Sequence, residues 1–185
     1  MNGGGKIWLI GDRGMLGAEL SRYFRAQGFA FTGTDRELDI TDLAALEAFA
    51  AEQAIAVIVN CAAYTAVDKA EDDGDFCRRL NAEGPANIAM TARKAGAKLI
   101  QISTDYVFDG TGIREGGAGP RPYREDDATN PIGVYGLTKR EGEEAVMANN
   151  PASWILRTAW LYGKHGNNFV RTMLSLMKER GSVSV

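Results

Sequence analysis

A phenol and an amine lie four residues apart in the segment VYGLTKREGEEA (134–145): these are Tyr135 and Lys139. Residues i and i+4 share one face of a helix, so a helix that begins here places both groups on the same side. A phenol with a pKa of about 10 is a poor proton donor at neutral pH, and a neighbouring ammonium brings that pKa toward the working range. The spacing predicts a tyrosine that delivers a proton, although Y-x-x-x-K by itself also fits a solvated helix face.

A hydroxyl from another part of the chain completes a candidate reactive group. The segment STDYVFDG (103–110) follows an apolar run, so Ser103 and Thr104 are predicted to end a strand. In parallel sheets, ligands bind beyond the carboxyl ends of the strands. The Thr104 hydroxyl can there hydrogen-bond the same carbonyl oxygen that Tyr135 protonates, which favours a catalytic role for Thr104, Tyr135 and Lys139 together.

Three glycines follow the first apolar run, in GDRGMLG: Gly11, Gly14 and Gly17. A tight turn between a strand and a helix needs positions without a Cβ, and it lets the backbone approach a pyrophosphate at the helix N-terminus. The spacing G-x-x-G-x-x-G differs from G-x-G-x-x-G, so the strand before it and the amphipathic helix after it carry the prediction. A merely tight turn is the alternative. With a dinucleotide bound here, the Lys139 ammonium would also hold the nicotinamide ribose.

The ends of the next strands supply further candidates for holding a cofactor. Asp35 ends the second predicted strand, where an acid accepts hydrogen bonds from the adenosine ribose and favours NAD. Arg36 beside it can pair with a 2′-phosphate, so the sequence leaves both NADH and NADPH open. Ala62 and Ala63 either leave room for a cofactor or only pack a helix. Two segments are predicted to end at this edge: LDITD (38–42) and NCAAYT (60–65).

Short apolar runs alternate with helical patterns along the chain. Strands that are apolar throughout, each followed by a helix, predict a doubly wound α/β fold with a parallel sheet, of the NAD(P)-binding Rossmann type. One such domain is predicted over residues 1–185, with 1–5 as a flexible lead-in. The predicted strands are KIWLI (6–10), FAFTGTD (29–35), AVIVNCAA (56–63), AKLIQIS (97–103), SWILRTAW (153–160) and the start of a sixth in SVSV (182–185).

Helices and one long loop separate these runs. Gly28 is predicted to end the first helix. Residues 75–95 are predicted to be helical with an interruption at Gly84-Pro85. The loop at 109–133 is longer than compact domains usually carry, which indicates either a rim over a site or a surface insertion.

Composition excludes several classes of function. The net charge of -3 and the absence of a basic cluster argue against nucleic-acid binding. No apolar run is long enough for a membrane span, and the N-terminus has no apolar core of a signal peptide. Cys61 and Cys77 show no metal spacing and fit free thiols in a reducing cytoplasm. His165, the one histidine, lies in a predicted loop, and no metal is expected.

Five sequence blocks resemble a known family over nearly the whole chain. The chain is similar to the extended short-chain dehydrogenase/reductases and, among them, to the dTDP-4-dehydrorhamnose reductases. That resemblance implies NADH- or NADPH-dependent reduction of the 4-keto group of a nucleotide-linked 6-deoxyhexose, dTDP-4-dehydro-L-rhamnose, to dTDP-L-rhamnose. The blocks are NCAAYTAVDKAE (60–71), STDYVFDGTG (103–112), PIGVYGLTKREGE (131–143), ILRTAWLYG (155–163) and GNNFVRTMLSLMKE (166–179).

The resemblance also implies roles for individual residues. Tyr135 is the implied proton donor, Lys139 positions the ribose and tunes Tyr135, and Thr104 assists. Asp105 and Trp160 match positions that contact the sugar. The positions that match the family's cofactor contacts are Gly14, Met15, Leu16, Asp35, Asp39, Ile40, Ala63, Tyr64 and Thr65.

Departures from the family pattern qualify these roles. Related dehydratases carry Thr-Asp-Glu where this chain has Thr104-Asp105-Tyr106, so dehydration is not expected. Tyr64 stands where some members carry histidine, and the insertion at 114–124 is longer than usual. The family continues past SVSV into a C-terminal substrate-binding portion, so we expect this chain to bind cofactor without efficient turnover. The alternatives are a regulatory subunit on the same fold and a nucleotide-sugar epimerase, and a homodimer is left open.

Overall fold

The computed structural model describes residues 5–113 and 120–184, which contain one five-stranded parallel sheet. The strand order is β2-β1-β3-β4-β5, with helices on both faces. The chain runs from β1 to β2 on one side and then crosses to β3 on the other side of β1. The direction in which strands are added therefore reverses at β1. A crevice at the carboxyl ends of β1 and β3 is the expected ligand site of such a sheet. The predicted doubly wound α/β fold is therefore confirmed.

The elements alternate along the chain as the apolar runs predicted. The strands are β1 (Lys6–Ile10), β2 (Phe31–Thr34), β3 (Ile55–Asn60), β4 (Lys98–Thr104) and β5 (Trp154–Thr158). The helices are α1 (Met15–Gln27), α2 (Leu43–Gln53), α3 (Val67–Ala70), α4 (Gly74–Arg78), α5 (Gly84–Ala95), α6 (Val134–Asn149) and α7 (Phe169–Arg180). Gly28 ends α1 in the left-handed conformation at φ 71°, as predicted.

Strand β1 is buried on both faces because its side chains point alternately into two cores. Trp8 and Ile10 join the larger core, which includes buried residues of α2 and α5. Leu9 joins a smaller core with Phe24 of α1 and Val59 of β3. A strand covered on both sides reads as a continuous apolar run, which explains why KIWLI identified it.

The helical stretch before β4 corrects one prediction. The chain does not break at Gly84-Pro85, because α4 continues into α5 through a single π-helical turn, Arg79–Glu83. Pro85 falls in the first turn of α5, where a missing N–H is tolerated. A Cβ at Gly84 would lie 2.5 Å from Cδ1 of Ile40. The glycine therefore serves close packing rather than helix termination.

The far edge of the sheet is less covered. Trp154 and Leu156 of β5 are 51% and 49% exposed, and α7 has no buried residue. The predicted sixth strand is wrong over residues 182–184, which form no ladder with β5 and so lack the pairing that defines a strand; Val185 lies outside the described residues. Within the described ranges, no helix combines the length and apolar character that crossing a bilayer requires.

Candidate functional site

The turn between β1 and α1, which we call the glycine turn (residues 11–17), is set by close backbone approaches. Gly11 has φ +78°, and a Cβ there would lie 2.7 Å from the backbone nitrogen of Ala62. A Cβ at Gly17 would overlap the carbonyl oxygen of Gly11. These glycines bring the end of β1 against the segment after β3. A tight turn, the alternative considered above, does not by itself explain this close approach.

The first turn of α1 is open to an anion. Gly14 is its N-cap, no side chain caps the helix, and no acidic residue lies in its first turn. The first N–H groups of a helix lack intrahelical partners, and the helix dipole favours negative charge beside them. Together with the glycines, this end of the helix fits a pyrophosphate.

A cavity of about 970 Å³ lies beside the glycine turn. Ten of the predicted cofactor residues line it: Gly11, Gly14, Asp35, Arg36, Asp39, Ile40, Ala62, Ala63, Tyr64 and Thr65. Residues that the sequence analysis did not select also line it, among them Arg13, Leu38, Phe76 and Leu80. The strand ends therefore meet as the parallel topology requires, and the volume suits a nucleotide cofactor.

The other predicted residues of the glycine turn lie outside this lining. Gly17 is buried against the backbone of Gly11 and Asp12. The Met15 side chain points to a different region, where the amide of Asn168 lies 3.7 Å from its sulfur.

Charges at the end of β2 form a small network around Asp35. The Asp35 carboxylate accepts a hydrogen bond from the Arg13 backbone N–H at 3.2 Å, and the Asp35 N–H donates to Glu37 at 2.8 Å. The Arg13 guanidinium pairs with Glu37 at 2.8 Å. Burial, and then the neighbouring Asp35, raises the pKa of Asp12. Acidic and basic groups both face this end of the cavity, so the choice between NADH and NADPH stays open.

Buried amides hold the loop after β3. The Asn60 side chain donates to Gln101 at 2.8 Å and accepts from the Ala62 N–H at 3.0 Å. Asn81, in the π-helical turn, accepts from the Tyr64 N–H at 2.8 Å and donates to the Tyr64 carbonyl at 3.1 Å. These side-chain amides form hydrogen bonds with backbone groups of the loop, which has left the sheet and follows the cavity wall. The signal for Asn60 and Gln101 was present in the sequence, as polar residues within buried strand runs.

Helix α6 brings Tyr135 and Lys139 to the end of β4, where Thr104 lies. We call these three residues, which the sequence analysis selected as candidates for catalysis, the catalytic corner. Lys139 is 4% exposed, and its ammonium donates to the Ile102 carbonyl at 2.8 Å. The Thr104 hydroxyl lies 3.1 Å from Asp105 Oδ1 and accepts from the Tyr106 N–H at 3.2 Å. The predicted helix and strand end are thus found, and the i, i+4 spacing places Tyr135 and Lys139 along one side of α6.

The direction of the pKa shift of Tyr135 differs from the expectation. Burial raises its pKa, and the Thr104 hydroxyl bonded to the phenol opposes that rise. Lys139 is not among the groups that shift this pKa, and its ammonium is bonded to the Ile102 carbonyl. Burial lowers the pKa of Lys139 to about 8, and the Glu143 carboxylate opposes this. Tyr135 is therefore a protonated phenol at neutral pH, which is the form a proton donor requires.

A second cavity, of about 470 Å³, opens beside the catalytic corner. Its lining includes Asp105 and Trp160, two of the three residues predicted to bind the substrate, and does not include the third, Thr104. Trp160 is 77% exposed and has φ +52°, a conformation that non-glycine residues rarely adopt. Such backbone strain is concentrated at functional sites. The remaining lining residues are Tyr106, Phe108, Asp109, Gly110, Tyr123 and Ile132.

The loop at 109–133 forms the rim of this cavity over its described part. Asp109 organises it by accepting hydrogen bonds from Tyr123 at 2.5 Å, Asn130 at 3.0 Å and Thr111. Phe108 and Tyr123 stack with ring centroids 4.2 Å apart. The described residues of the loop are therefore consistent with the interpretation of the loop as a rim over a site. Most of the insertion predicted at 114–124 lies outside the described residues.

Helix α6 depends on contacts that its own sequence does not reveal. Its N-cap Gly133 supplies no side-chain cap, and the Glu71 carboxylate accepts from the Val134 N–H at 2.8 Å instead. A Cβ at Gly136 would overlap the carbonyl oxygen of Tyr106. A partner 63 residues away in sequence cannot be read from local capping patterns.

The chain resembles known proteins across almost its full length. A family profile described as RmlD substrate binding domain matches residues 5–185. A dTDP-4-dehydrorhamnose reductase of Streptomyces griseus is 49% identical over 96% of this chain and 57% of its own length. A reductase of the same name from Mycobacterium tuberculosis is 42% identical over 97% of this chain and 58% of its own length. The chain thus spans somewhat more than half the length of these relatives.

Solved structures agree with the sequence comparison. The dTDP-4-dehydrorhamnose reductase of Bacillus anthracis, in complex with NADP, has a TM-score of 0.87 and 39% identity, over 95% of this chain and 60% of that one. The Clostridium acetobutylicum reductase has a TM-score of 0.86 and 46% identity, over 94% and 60% of the two chains. A Thermus thermophilus UDP-glucose 4-epimerase with NAD, at 20% identity, shows the shared fold alone. The chain belongs to the RmlD family.

Proposed function

We propose that this chain is the cofactor-binding part of an NAD(P)H-dependent reductase that converts dTDP-4-dehydro-L-rhamnose to dTDP-L-rhamnose. The observation that carries the proposal is the position of the catalytic corner. Thr104, Tyr135 and Lys139 lie at the carboxyl end of β4, at the same sheet edge as the glycine turn and between the two cavities. The names of the relatives supply the substrate.

The larger cavity fits a dinucleotide. The open first turn of α1 would hold the pyrophosphate, and Asp35 and Arg36 would face the adenosine ribose. Ala62 and Ala63 leave space along the cavity wall, and Tyr64 and Thr65 continue that wall. When bound, NADH or NADPH supplies a hydride to the carbonyl carbon of the substrate.

The catalytic corner would handle the proton and the oxygen. Tyr135 is protonated, so its phenol can donate to the C4 oxygen as the C=O bond becomes a C–O(H) bond. The Thr104 hydroxyl can hydrogen-bond that oxygen after exchanging its contact with Asp105. The Lys139 ammonium can move from the Ile102 carbonyl to ribose hydroxyls, where its charge also stabilises the tyrosinate left behind.

The second cavity is the proposed place for the sugar. Asp105 offers a carboxylate and Trp160 an exposed aromatic face, which is a common combination for a hydroxylated ring. Tyr106 occupies the position at which related dehydratases carry a glutamate, and its ring lies 5.5 Å from that of Tyr135 in an edge-to-face contact. The corner therefore lacks the carboxylate that dehydration would need at that position.

Reduction can be tested in a protein that joins this chain to the remaining length found in its relatives. With dTDP-4-dehydro-L-rhamnose, NADPH or NADH oxidation should follow substrate addition, and Tyr135→Phe should lose about 10²-fold or more in kcat while cofactor affinity is nearly kept. Lys139→Met should damage both kcat and cofactor binding. Equal kcat for wild type and Tyr135→Phe would remove Tyr135 from the chemistry.

The isolated chain is expected to bind cofactor without efficient turnover. A tryptophan-fluorescence titration with NADPH should show saturable binding, whereas NADPH oxidation with the keto-sugar nucleotide should stay far below about 1 per second. Turnover at that rate would contradict the proposed division between cofactor and substrate parts.

Two further expectations belong to the same proposal. We place the protein in the cytoplasm, because Cys61 and Cys77 are free thiols, as is usual in a reducing compartment. Association into a homodimer stays a prediction, and sedimentation of the complete protein would test it. An epimerase would retain NAD through purification, so a stoichiometric bound cofactor would favour that alternative.

A further inference from the structure

An ion pair behind the catalytic corner links three elements that the proposed reaction uses. Arg157 of β5 donates to Glu143 of α6 through Nε at 3.0 Å and through the terminal nitrogen at 2.7 Å. The side chains are 25% and 8% exposed, so the pair is largely removed from water. Glu143 lies one helical turn after Lys139, on the same buried side of α6.

Arg157 also contacts the loop at the second cavity. Its guanidinium lies 5.0 Å from the centre of the Phe108 ring, whose other contact is the stack with Tyr123. It donates to the Glu125 carbonyl at 3.2 Å. In the sheet, Arg157 pairs in register with Ser103, next to Thr104. Arg157 therefore contacts the loop and α6 through its guanidinium, and it pairs through its backbone with the strand that ends in Thr104.

We propose, resting on the function above, that Arg157 is a positioning residue that sets the charge state of Lys139 through Glu143 and ties it to the loop at the second cavity. Glu143 carries the carboxylate one helical turn from Lys139 on α6, and a guanidinium that holds both oxygens of that carboxylate withdraws part of its negative field from the lysine. The strength of this grip decides how readily Lys139 keeps its proton.

The other titratable groups near Lys139 do not supply this control. Burial raises the pKa of Tyr135, one helical turn before Lys139, so that phenol is neutral where Lys139 titrates. Cys61 approaches from the end of β3 and Cys77 from α4. Burial raises the pKa of Cys61 to about 12, so that thiol is neutral wherever Lys139 titrates. The Cys77 sulfur is hydrogen-bonded by Asn81 at 3.3 Å and lies 3.2 Å from the Thr138 hydroxyl. The Ile102 carbonyl contributes a fixed dipole. Glu143 is the remaining charge whose influence a partner can change.

The two members of the pair should act on Lys139 in opposite directions. Removing the guanidinium in Arg157→Met exposes Lys139 to the full Glu143 charge, which favours the ammonium. Removing the carboxylate in Glu143→Gln takes away the field that favours the ammonium and leaves Arg157 as a nearby cation. A merely structural ion pair would instead give two variants that lose stability together without opposite effects on one lysine.

The test is a ¹³C NMR titration of the isolated chain with lysine labelled at Cε, the Lys139 resonance being identified with Lys139→Arg. Against wild type near pH 8, we expect the midpoint of Lys139 to rise by about one pH unit in Arg157→Met and to fall by about one in Glu143→Gln. Arg78→Met is the matched control: Arg78 pairs with Glu141 on a more exposed side of α6, at 2.8 Å, and its removal should leave the midpoint unchanged.

The test remains decisive even if one of the variants does not fold. Should Arg157→Met fail to fold, Glu143→Gln retains a partly exposed cation and carries the test alone. Phe108→Leu removes the ring beneath the guanidinium and should raise the Lys139 midpoint by a smaller amount. Unchanged or parallel midpoints in the two pair variants would overturn the proposal, and an unchanged midpoint in Phe108→Leu would overturn its link to the loop. The titration needs no cofactor or substrate, so these outcomes are separate from failure of the reductase assignment.

Discussion

The glycine turn and the catalytic corner face the same edge of one sheet, but they are built differently. The glycine turn depends on backbone: Gly11 and Gly17 have no room for a Cβ, and the helix end that they expose has no side-chain cap. The catalytic corner depends on side chains, with a buried ammonium on a carbonyl and a phenol bonded to a threonine. In the proposed function, backbone geometry decides where the cofactor fits, whereas side-chain networks decide how the proton moves.

This difference predicts that substitutions in the two regions change stability with opposite signs. The largest effect is expected for Gly17→Ala, because the added methyl overlaps the Gly11 carbonyl oxygen and approaches Asp12 Cα at 2.8 Å. Backbone cannot move aside as a flexible side chain can, so we expect a loss of about 3 kcal/mol or more in the free energy of unfolding. Urea denaturation measures it.

Gly14→Ala is the matched control for Gly17→Ala. Its Cβ would meet only the Gly11 carbonyl oxygen, at 3.3 Å, so a small backbone shift relieves the contact. We expect a loss below about 1 kcal/mol. Equal losses for the two alanine variants would show that the close approach at Gly17 is not what fixes the turn.

At the catalytic corner, Lys139→Met should stabilise the fold at neutral pH. The pKa of Lys139 is lowered from 10.5 to about 8, so the folded state resists the charged form. This penalty acts fully below pH 8 and fades as pH rises through 8 toward 10.5, where the unfolded chain also loses the proton. We expect the variant to gain up to about 3 kcal/mol at pH 7 and less at pH 9.5.

Urea denaturation of wild type and Lys139→Met at the two pH values checks this sign. The gain is reduced by the hydrogen bond to the Ile102 carbonyl that the variant loses. A stability difference that is independent of pH, or a variant that is less stable at pH 7, would mean that Lys139 is not held in a costly charged state.

A smaller effect is expected at the start of α6. Glu71 caps α6 from outside, and Tyr135 is the second residue of that helix. Glu71→Ala should lower the free energy of unfolding by about 1 kcal/mol. The neighbouring exposed Asp72→Ala should have little effect, and thermal denaturation compares the two. No difference between them would assign the start of α6 to packing alone.

The smallest effect on stability is expected for Glu37→Gln, which removes the partner of Arg13 in the glycine turn. The Arg13–Glu37 pair is exposed, so the melting temperature should hardly change. The substitution frees Arg13 for a 2′-phosphate, and the ratio of NADPH to NADH dissociation constants should fall about fivefold. Fluorescence titration with each cofactor measures the ratio, and an unchanged ratio would show that Arg13 does not face the adenosine ribose.

Sequence patterns predicted the strands, the glycine turn and the helical spacing of Tyr135 and Lys139. The apolar run KIWLI identified β1 because that strand is buried on both faces, and the glycines marked the turn because only glycine fits there. Tyr135 and Lys139 were predicted to share a helix because their spacing is local. Each of these signals is contained in a few consecutive residues.

The features that were not predicted depend on distant partners. Asn81 holds Tyr64 across 17 residues, and Glu71 caps α6 across 63. The π-helical turn that carries the helix to Gly84-Pro85 was not predicted either, and it holds Asn81. The raised pKa of Tyr135, where a lowered one was expected, likewise depends on the surrounding fold, because burial is its main cause.

A crystal structure of this chain with NADPH tests the central claim most directly. The account predicts the pyrophosphate on the backbone N–H groups at the start of α1. It also predicts the nicotinamide beside Thr104 and Tyr135, with the Lys139 ammonium transferred from the Ile102 carbonyl to the ribose. A cofactor bound away from the glycine turn, or a nicotinamide out of reach of Tyr135 and Lys139, would contradict it.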